Sequence, residues 1–572
     1  MDKNFFIKPT HIKQKQYEVL RASFVDNLSD QQSAEKFGYA YYTFKSLKRD
    51  CKNASAEDFF KPVIKGRQQG REEKTMPAKD IVIALRKRNY SNREIREYLL
   101  TRNKIDISET IINDILTKEG FTKLFRRTFR ERLEALQEEK DYPDKSDIQE
   151  FGTVPQVSTS FGGIFLFIPL LLDLNVQRLF DLKFYESKGI PRLNYLLSYL
   201  AVKLLGVERL SHVQDYSFDY GLGVFAGLNV LPKSSALSSY SYRHSTSLIT
   251  TLLKGFCKIL HQNHYITGKN INLDFHSIPY YGEREEIENN WIPTRGKRMS
   301  SILSFFAQDL DTTFLCYSNG DIAHNEQNDE ILKFVEFYKQ TTGLLPQRLI
   351  FDSKLTTYNN LNKLNEQGIS FITLGRRGKK IVKDMESIKD WKKVTLDNTE
   401  RKYRELEYAE QKVKIRDYRT EIRELYVRGN GRELPMRLFT NDFTDTSKNI
   451  ITCYTKRWRI ENNIQENIDF FNLNALQSSV IVQVNFDIAM TLIANTLYKL
   501  LAQNTKWFND AKPKTISRNF VNIQTTVVID ENEIKVCFDK SSYIPVLKDW
   551  IETLPTYQVP WWNDKKLKFV FK

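Results

Sequence analysis

The chain has 572 residues, with 86 Lys plus Arg against 71 Asp plus Glu and a formal charge of +15. That length exceeds a single domain at about 150 residues each, and 41% hydrophobic residues exclude a disordered chain. The excess of cations favours a polyanionic partner, because each phosphate neutralised releases counterions.

The first ~135 residues read as helical and basic. Val19, Leu20, Phe24 and Leu28 recur near helical spacing through Tyr17 to Asn27. Ser29 is the expected N-cap for a short helix from Asp30 to Phe37, Gly38 supplies a turn, and a third helix spans Tyr41 to Cys51. That layout is a helix-turn-helix. Its last helix offers Tyr42, Lys45, Lys48 and Arg49 as candidate contacts to bases and phosphates. A polar stretch, Lys65 to Thr75, reads as a linker. A second unit follows, with helices over Ala78 to Arg88, Asn92 to Arg102 capped by Ser91, and Glu109 to Glu119 capped by Ser108. Residues 1–140 are therefore read as a tandem helix-turn-helix arm. Lys123 to Lys140 is a charged, solvated segment, and Asp141 to Gln149, with Pro143, marks a boundary.

Residues 150–268 are apolar and helical in pattern, with Leu170-Leu171-Leu172, Leu196-Leu197 and Leu204-Leu205, and carry no motif for chemistry. They are expected to pack on the neighbouring core or to help it dimerise. From Ile271 the pattern changes. Strands are expected at Ile271 to Phe275, Ser301 to Ala307 and Thr313 to Tyr317, then a helix over Asn328 to Gln340, a strand at Arg348 to Phe351, a helix over Thr357 to Gln367 and a strand at Ile369 to Leu374. Three strands, then helix, strand, helix, strand, is the order of an RNase H-like α/β core, in which the first and fourth strands are neighbours. Charged and β-forming residues alternate through 376–445, as in Val413 to Tyr418 and Glu424 to Arg428, with Gly429-Asn430-Gly431 as a hairpin turn. Helix resumes near Ser447 and is expected to run past Glu461. The core is thus read as 269–375 and 446–505, the β-rich insertion as 376–445, and a C-terminal segment as 506–572.

The densest chemistry lies in Cys453-Tyr454-Thr455-Lys456-Arg457-Trp458-Arg459-Ile460-Glu461. Tyr454, Arg457 and Glu461 are spaced by three and then four, so on a helix they share one face. A carboxylate beside a guanidinium and a phenol suits a site that handles phosphate and metal together. Asp274 and Asp352 lie on or beside expected strands, 78 positions apart, with Glu461 a further 109 along. Two strand acids and one helix acid can hold two Mg²⁺ ions for phosphodiester chemistry. Asp309 and Asp311 compete for such a role but bracket a hairpin turn. His276 shares a strand face with Asp274. His261-x-x-His264 has no Cys or Asp to complete a zinc set.

These residues resemble a DDE-type transposase of the IS4 group of bacterial insertion sequences. The likeness rests on Asp274-Phe275-His276-Ser277-Ile278-Pro279-Tyr280-Tyr281-Gly282, on Leu349-Ile350-Phe351-Asp352-Ser353, and on Tyr454-x2-Arg457-x3-Glu461. It implies an RNase H-like catalytic core with a β-rich insertion between Asp352 and Glu461. It also implies a metal triad of Asp274, Asp352 and Glu461 holding two Mg²⁺, with Mn²⁺ as a substitute. Tyr454 and Arg457 would contact transposon-end phosphates, joined by Lys456 and Arg459, with Trp458 and His276 as further DNA contacts. The implied partners are double-stranded DNA, as inverted repeats and target, and a second copy of the chain in a synaptic complex. One departure stands out: the family expects a basic residue seven positions after Glu461, and this chain has Ile468. A cation from Arg376-Arg377-Gly378-Lys379-Lys380 is one replacement. The expected activity is strand cleavage and strand transfer in cut-and-paste transposition. The rival readings are an inactive or domesticated transposase-derived DNA-binding protein, and an RNase H-fold DNA nuclease.

The remaining features agree with a cytoplasmic protein that reaches the nucleoid directly. Five scattered cysteines without a CxxC pair fit reduced thiols. Met1 to Phe6 lacks a signal-peptide layout, and the apolar run Gly163 to Leu172 is too short to span a bilayer. No GxxxxGK[ST] loop is present, so no nucleotide cofactor is expected.

Overall fold

Ser29 and Gln32 bond reciprocally at the start of the second helix, satisfying two of the amides that a helix N-terminus leaves unpaired. This capping box sits in a computed structural model that describes residues 12–52, 78–121 and 154–572, apart from 80, 84, 87–91, 104, 119–120, 188, 217, 242, 282–286, 293–294, 321, 356, 398–402 and 476–480. The expected linker at Lys65 to Thr75, the charged segment Lys123 to Lys140 and the boundary Asp141 to Gln149 lie outside the described residues, as does the Ser91 cap. The chain divides into two compact units, Met1–Asp80 and Ile81–Lys572.

In the first unit, α1 (Ile12–Phe24), α2 (Asp30–Phe37) and α3 (Tyr41–Lys52) enclose Val19, Leu20, Ala34, Phe37 and Phe44. Gly38 ends α2 at φ 65°, a left-handed conformation that glycine adopts without a Cβ penalty. The first helix starts at Ile12, earlier than the apolar spacing from Tyr17 suggests, because its opening turn is polar and carries no periodic signal.

The second unit includes α4 (Asn92–Asn103) and α5 (Glu109–Lys118). Ser108 Oγ accepts from Ile111 N at 3.4 Å, as a cap should. After β1 (Gln156–Thr159), the apolar run folds as a buried turn of 3₁₀ helix and α6 (Phe167–Asp173). Among the described residues, no helix is long and apolar enough to cross a membrane. The helices α7 (Arg192–Leu204) and α8 (Thr246–Gln262) follow.

The main sheet is built from β2 (Asn270–Pro279), β3 (Asn289–Ile292), β4 (Lys297–Asp309), β5 (Leu315–Asn319), β6 (Arg348–Phe351) and β7 (Ser370–Leu374), with α9 (Glu330–Thr342) and α10 (Tyr358–Glu366) in the crossovers. β2 pairs antiparallel with β4 and parallel with β6, and β6 pairs parallel with β7. Parallel neighbours need crossover connections, and α9 and α10 belong to them. After α11 (Lys379–Glu386) come β8 (Lys392–Thr395), β9 (Glu405–Val413), β10 (Ile422–Arg428) and β11 (Met436–Thr440). β11 pairs antiparallel with β7, Leu438 opposite Leu374, so the strands of 376–445 extend the same sheet in the order β3-β4-β2-β6-β7-β11-β10-β9-β8. Leu438 and Leu425 are fully buried on these strands, which the charged alternation in the sequence conceals.

Two helices, α12 (Ser447–Thr455) and α13 (Trp458–Asp469), stand where a single one was expected. At the junction, Arg457 N bonds Tyr454 O, Arg459 N bonds Lys456 O and Ile460 N bonds Arg457 O, all three residues back rather than four. The ladder tightens there without Gly or Pro to announce it.

Behind the sheet, α14 (Ile481–Asn504) is buried almost along its length and packs against α6, α7 and α8. A helix apolar on every side belongs in a core. The C-terminal segment forms a second, five-stranded sheet in the order β1-β12-β13-β15-β14, from β12 (Thr525–Ile529), β13 (Glu533–Phe538), β14 (Gln558–Val559) and β15 (Lys565–Phe571). The apolar helical segment meets the C-terminal segment at glycine: a Cβ on Gly163 would lie 1.7 Å from the carbonyl oxygen of Phe520, in the helical turn before β12, and one on Gly162 would lie 1.8 Å from Thr525 Oγ1 on β12. Only glycine permits that approach.

Candidate functional site

β2 and β6 pair with Asn270 opposite Arg348, Ile271 opposite Leu349 and Asn272 opposite Ile350. That offset of 78 also separates Asp274 from Asp352, so both acids stand two residues beyond the last paired position, Asp274 still on β2 and Asp352 one residue past the end of β6. α13 lies against β2 and contributes Glu461.

Arg457, at the α12–α13 junction, ties the acids together. Its Nη1 donates to Asp274 Oδ2 at 3.1 Å, and its Nη2 donates to Glu461 Oε1. The Arg457 and Asp274 side chains are 16% and 14% exposed, whereas Glu461 is 50% exposed. Asp274 Oδ1 also accepts from Phe275 N at 2.9 Å, and Asp352 Oδ1 accepts from Lys354 N at 2.8 Å. Asp352 does not cap α10; Thr357 stands at that cap.

Burial pushes the Asp274 carboxyl up to about 6; Arg457 pulls it down, and the charges of Asp352 and Glu461 push it up again. Burial likewise lifts the Tyr454 phenol to about 12, against the pull of Arg457. The guanidinium of Arg457 is held above its ordinary value despite burial, by Asp274, Tyr454, Glu461 and Asp352. These mutual influences show that the three acids, the phenol and the guanidinium form one electrostatic cluster. Hard carboxylate oxygens that repel one another are the donor set Mg²⁺ takes. Among the described residues, however, no three His, Cys, Asp or Glu side chains converge at metal-binding distance. The cation between Asp274 and Glu461 is Arg457 itself.

His276 Nε2 lies 2.6 Å from Asn474 Oδ1 in a buried setting that lowers its pKa, so it is engaged within the protein. Arg459 reaches Leu310 O at 3.2 Å and is half-buried. Lys456 and Trp458 are half-buried beside the cluster. In the first unit, Tyr42 is 83% exposed, Lys45 lies over the Tyr41 ring, and Arg49 is exposed beside Asp50. Lys48 differs from expectation: it bonds Asp30 and Ser23, so its charge closes α3 against the start of α2. Asp309, set aside as a turn residue, is buried and accepts from Thr267, Gly268, Asp311 and Thr312, which consumes both carboxylate oxygens. Asn474 and Arg432 went unnoticed in the sequence. Arg432, next to the Gly429-Asn430-Gly431 turn, could have been found from its basic neighbourhood.

Residues 310–497 match the family model described as the transposase DDE domain. The match takes in Asp352, Arg457 and Glu461, begins after Asp274, and supports a DDE transposase. No curated protein matches the chain significantly. Among solved structures, the chain aligns to the C-terminal lobe of a budding yeast Argonaute at 10% identity, over 49% of this chain and 60% of that one. The TM-score of 0.15 is too low for that likeness to bear on fold or function.

Proposed function

We propose that this chain is a DNA transposase of the IS4 group that cleaves and joins strands at inverted-repeat ends, with Asp274, Asp352 and Glu461 as its metal-binding acids. The observation that carries the reading is the register of β2 on β6, which sets Asp274 beside Asp352, together with Arg457 bridging Asp274 to Glu461. The match to the transposase DDE domain over Asp352 and Glu461 supports it independently. The strand order and crossovers agree with an RNase H-like core carrying a β-rich insertion.

In this reading the donor chemistry of the three acids fits Mg²⁺, or Mn²⁺ in its place. Two such ions supply an activated water or 3′-hydroxyl and stabilise the leaving oxygen. The rest falls to the chain's own side chains. Asp274 is held beside Asp352 by the sheet. Arg457 neutralises Asp274 and Glu461, and its planar fork suits a phosphate. Tyr454 positions Arg457. On α3, the exposure of Tyr42, Lys45 and Arg49 supports a role for them in contacting DNA, whereas Lys48 bonds Asp30. Action on two ends requires two copies in a synaptic complex.

The test is a labelled duplex carrying the inverted repeats that flank the gene, incubated with the full-length protein and Mg²⁺. Nicking at the repeat boundary followed by joined strand-transfer products is the expected result. Binding without nicking would mark a DNA-binding derivative, and hydrolysis without joined products a nuclease.

A further inference from the structure

The turn that carries Asp352 after β6 continues into Ser353, which lines a cleft of about 320 Å³ at the end of β7. Its walls also hold Gly375, Arg376, Arg377, Arg432 and Arg437. Four guanidinium groups around one small cavity would repel one another unless something compensates them. Arg437 is compensated internally. Its Nε donates to the buried Glu424 carboxylate, its Nη1 donates to Arg376 O at 2.7 Å, and its plane lies 4.5 Å over the Phe439 ring. It is a fixed floor. Gly375 leaves room for that floor, since a Cβ there would come within 2.9 Å of the Arg437 stem. Arg377 is partly committed, donating to Pro435 O at 3.0 Å and Leu434 O at 3.4 Å. The exposed side chains of Arg376 and Arg432 have no hydrogen-bond or ion-pair partner among the described residues, and no carboxylate lines the cleft.

We infer that this arginine cleft is a seat for a backbone phosphate of the DNA strand that passes Asp352, gripped by Arg376 and Arg432 above the Arg437 floor. This rests on the nucleotidyl-transfer reading and adds a binding site to it. Arginine suits the role because its fork meets phosphate oxygens in pairs and its charge persists at every working pH. The cleft brings two segments of the chain, the end of β7 and the β10–β11 turn, to the same edge of the site.

The experiment is the salt dependence of affinity of the full-length protein for a short duplex of arbitrary sequence, without divalent metal. Removing one phosphate-neutralising cation lowers the slope of log K against log salt by about 0.9. The double variant Arg376→Ala/Arg432→Ala should lower the slope by about 2. The control Lys414→Ala/Arg416→Ala, which removes the same charge from the exposed β9–β10 loop, should leave it unchanged. Equal slopes for wild type and cleft variant, or an equal drop in the control, would overturn the proposal while Mg²⁺-dependent nicking by the wild type still stood. Loss of that nicking would instead remove the reading beneath it.

Discussion

Asp352→Asn should reduce Mg²⁺-dependent strand cleavage by about 10³-fold or more while leaving DNA affinity within a factor of about 3. The substitution keeps shape and one acceptor oxygen, so the turn after β6, in which Asp352 Oδ1 accepts from Lys354 N, can survive. What it removes is a negative charge beside Asp274, and a site that stabilises a phosphoryl transition state through divalent ions loses several kcal/mol with one anionic ligand. Binding should persist because the proposed DNA contacts are elsewhere: in α3, at Arg457 and in the arginine cleft. Gel-shift and nicking assays on one duplex separate the two effects. Simultaneous loss of binding and cleavage would mean that Asp352 has a different job.

Arg457→Ala should destabilise the protein by about 1 kcal/mol at neutral pH and about 3 kcal/mol near pH 8, because it leaves a largely buried carboxylate without the guanidinium that pairs with it. The pH dependence gives this its signature. With Arg457 present, Asp274 already titrates near 6, above its ordinary 3.8. A carboxyl whose folded pKa is raised contributes stability below its unfolded pKa and loses it as pH climbs through the folded value. Without Arg457 the folded pKa climbs further. Both proteins then hold Asp274 protonated near about pH 5, and the variant's deficit should grow between about pH 6 and 8. Urea unfolding at several pH values reads this directly. A deficit constant across that range would show that Arg457 serves packing rather than charge.

The pairing of β2 with β6, and with it the alignment of Asp274 with Asp352, is legible in the sequence for a geometric reason. Strand Arg348–Phe351 is a short apolar run that reads as a buried strand, and the β2–β6 offset equals the spacing of the two aspartates. Asp309 stands apart, because its place in a turn tells where its oxygens are spent. The helix break at Lys456–Arg457 was invisible, since every residue there is an ordinary helix former and only the hydrogen-bond ladder tightens. Lys48 and Arg459 look alike in sequence to Lys45 and Arg49, but their partners, Asp30 and the Leu310 carbonyl, come from other elements. Tertiary choice of partner leaves no local trace. The C-terminal sheet shows the same limit. Thr525 to Ile529 and Lys565 to Phe571 have strand-like composition, yet one of the two partners of the first is β1, more than three hundred residues earlier.

The central claim is that three acids from two strands and a helix share divalent ions. Manganese titration of the full-length protein with a short duplex, read by the electron paramagnetic resonance of free Mn²⁺, measures it without relying on turnover. Wild type should take up Mn²⁺, and Asp274→Asn, Asp352→Asn and Glu461→Gln should each weaken that uptake by about tenfold or more. Uptake unchanged in all three variants would contradict the account.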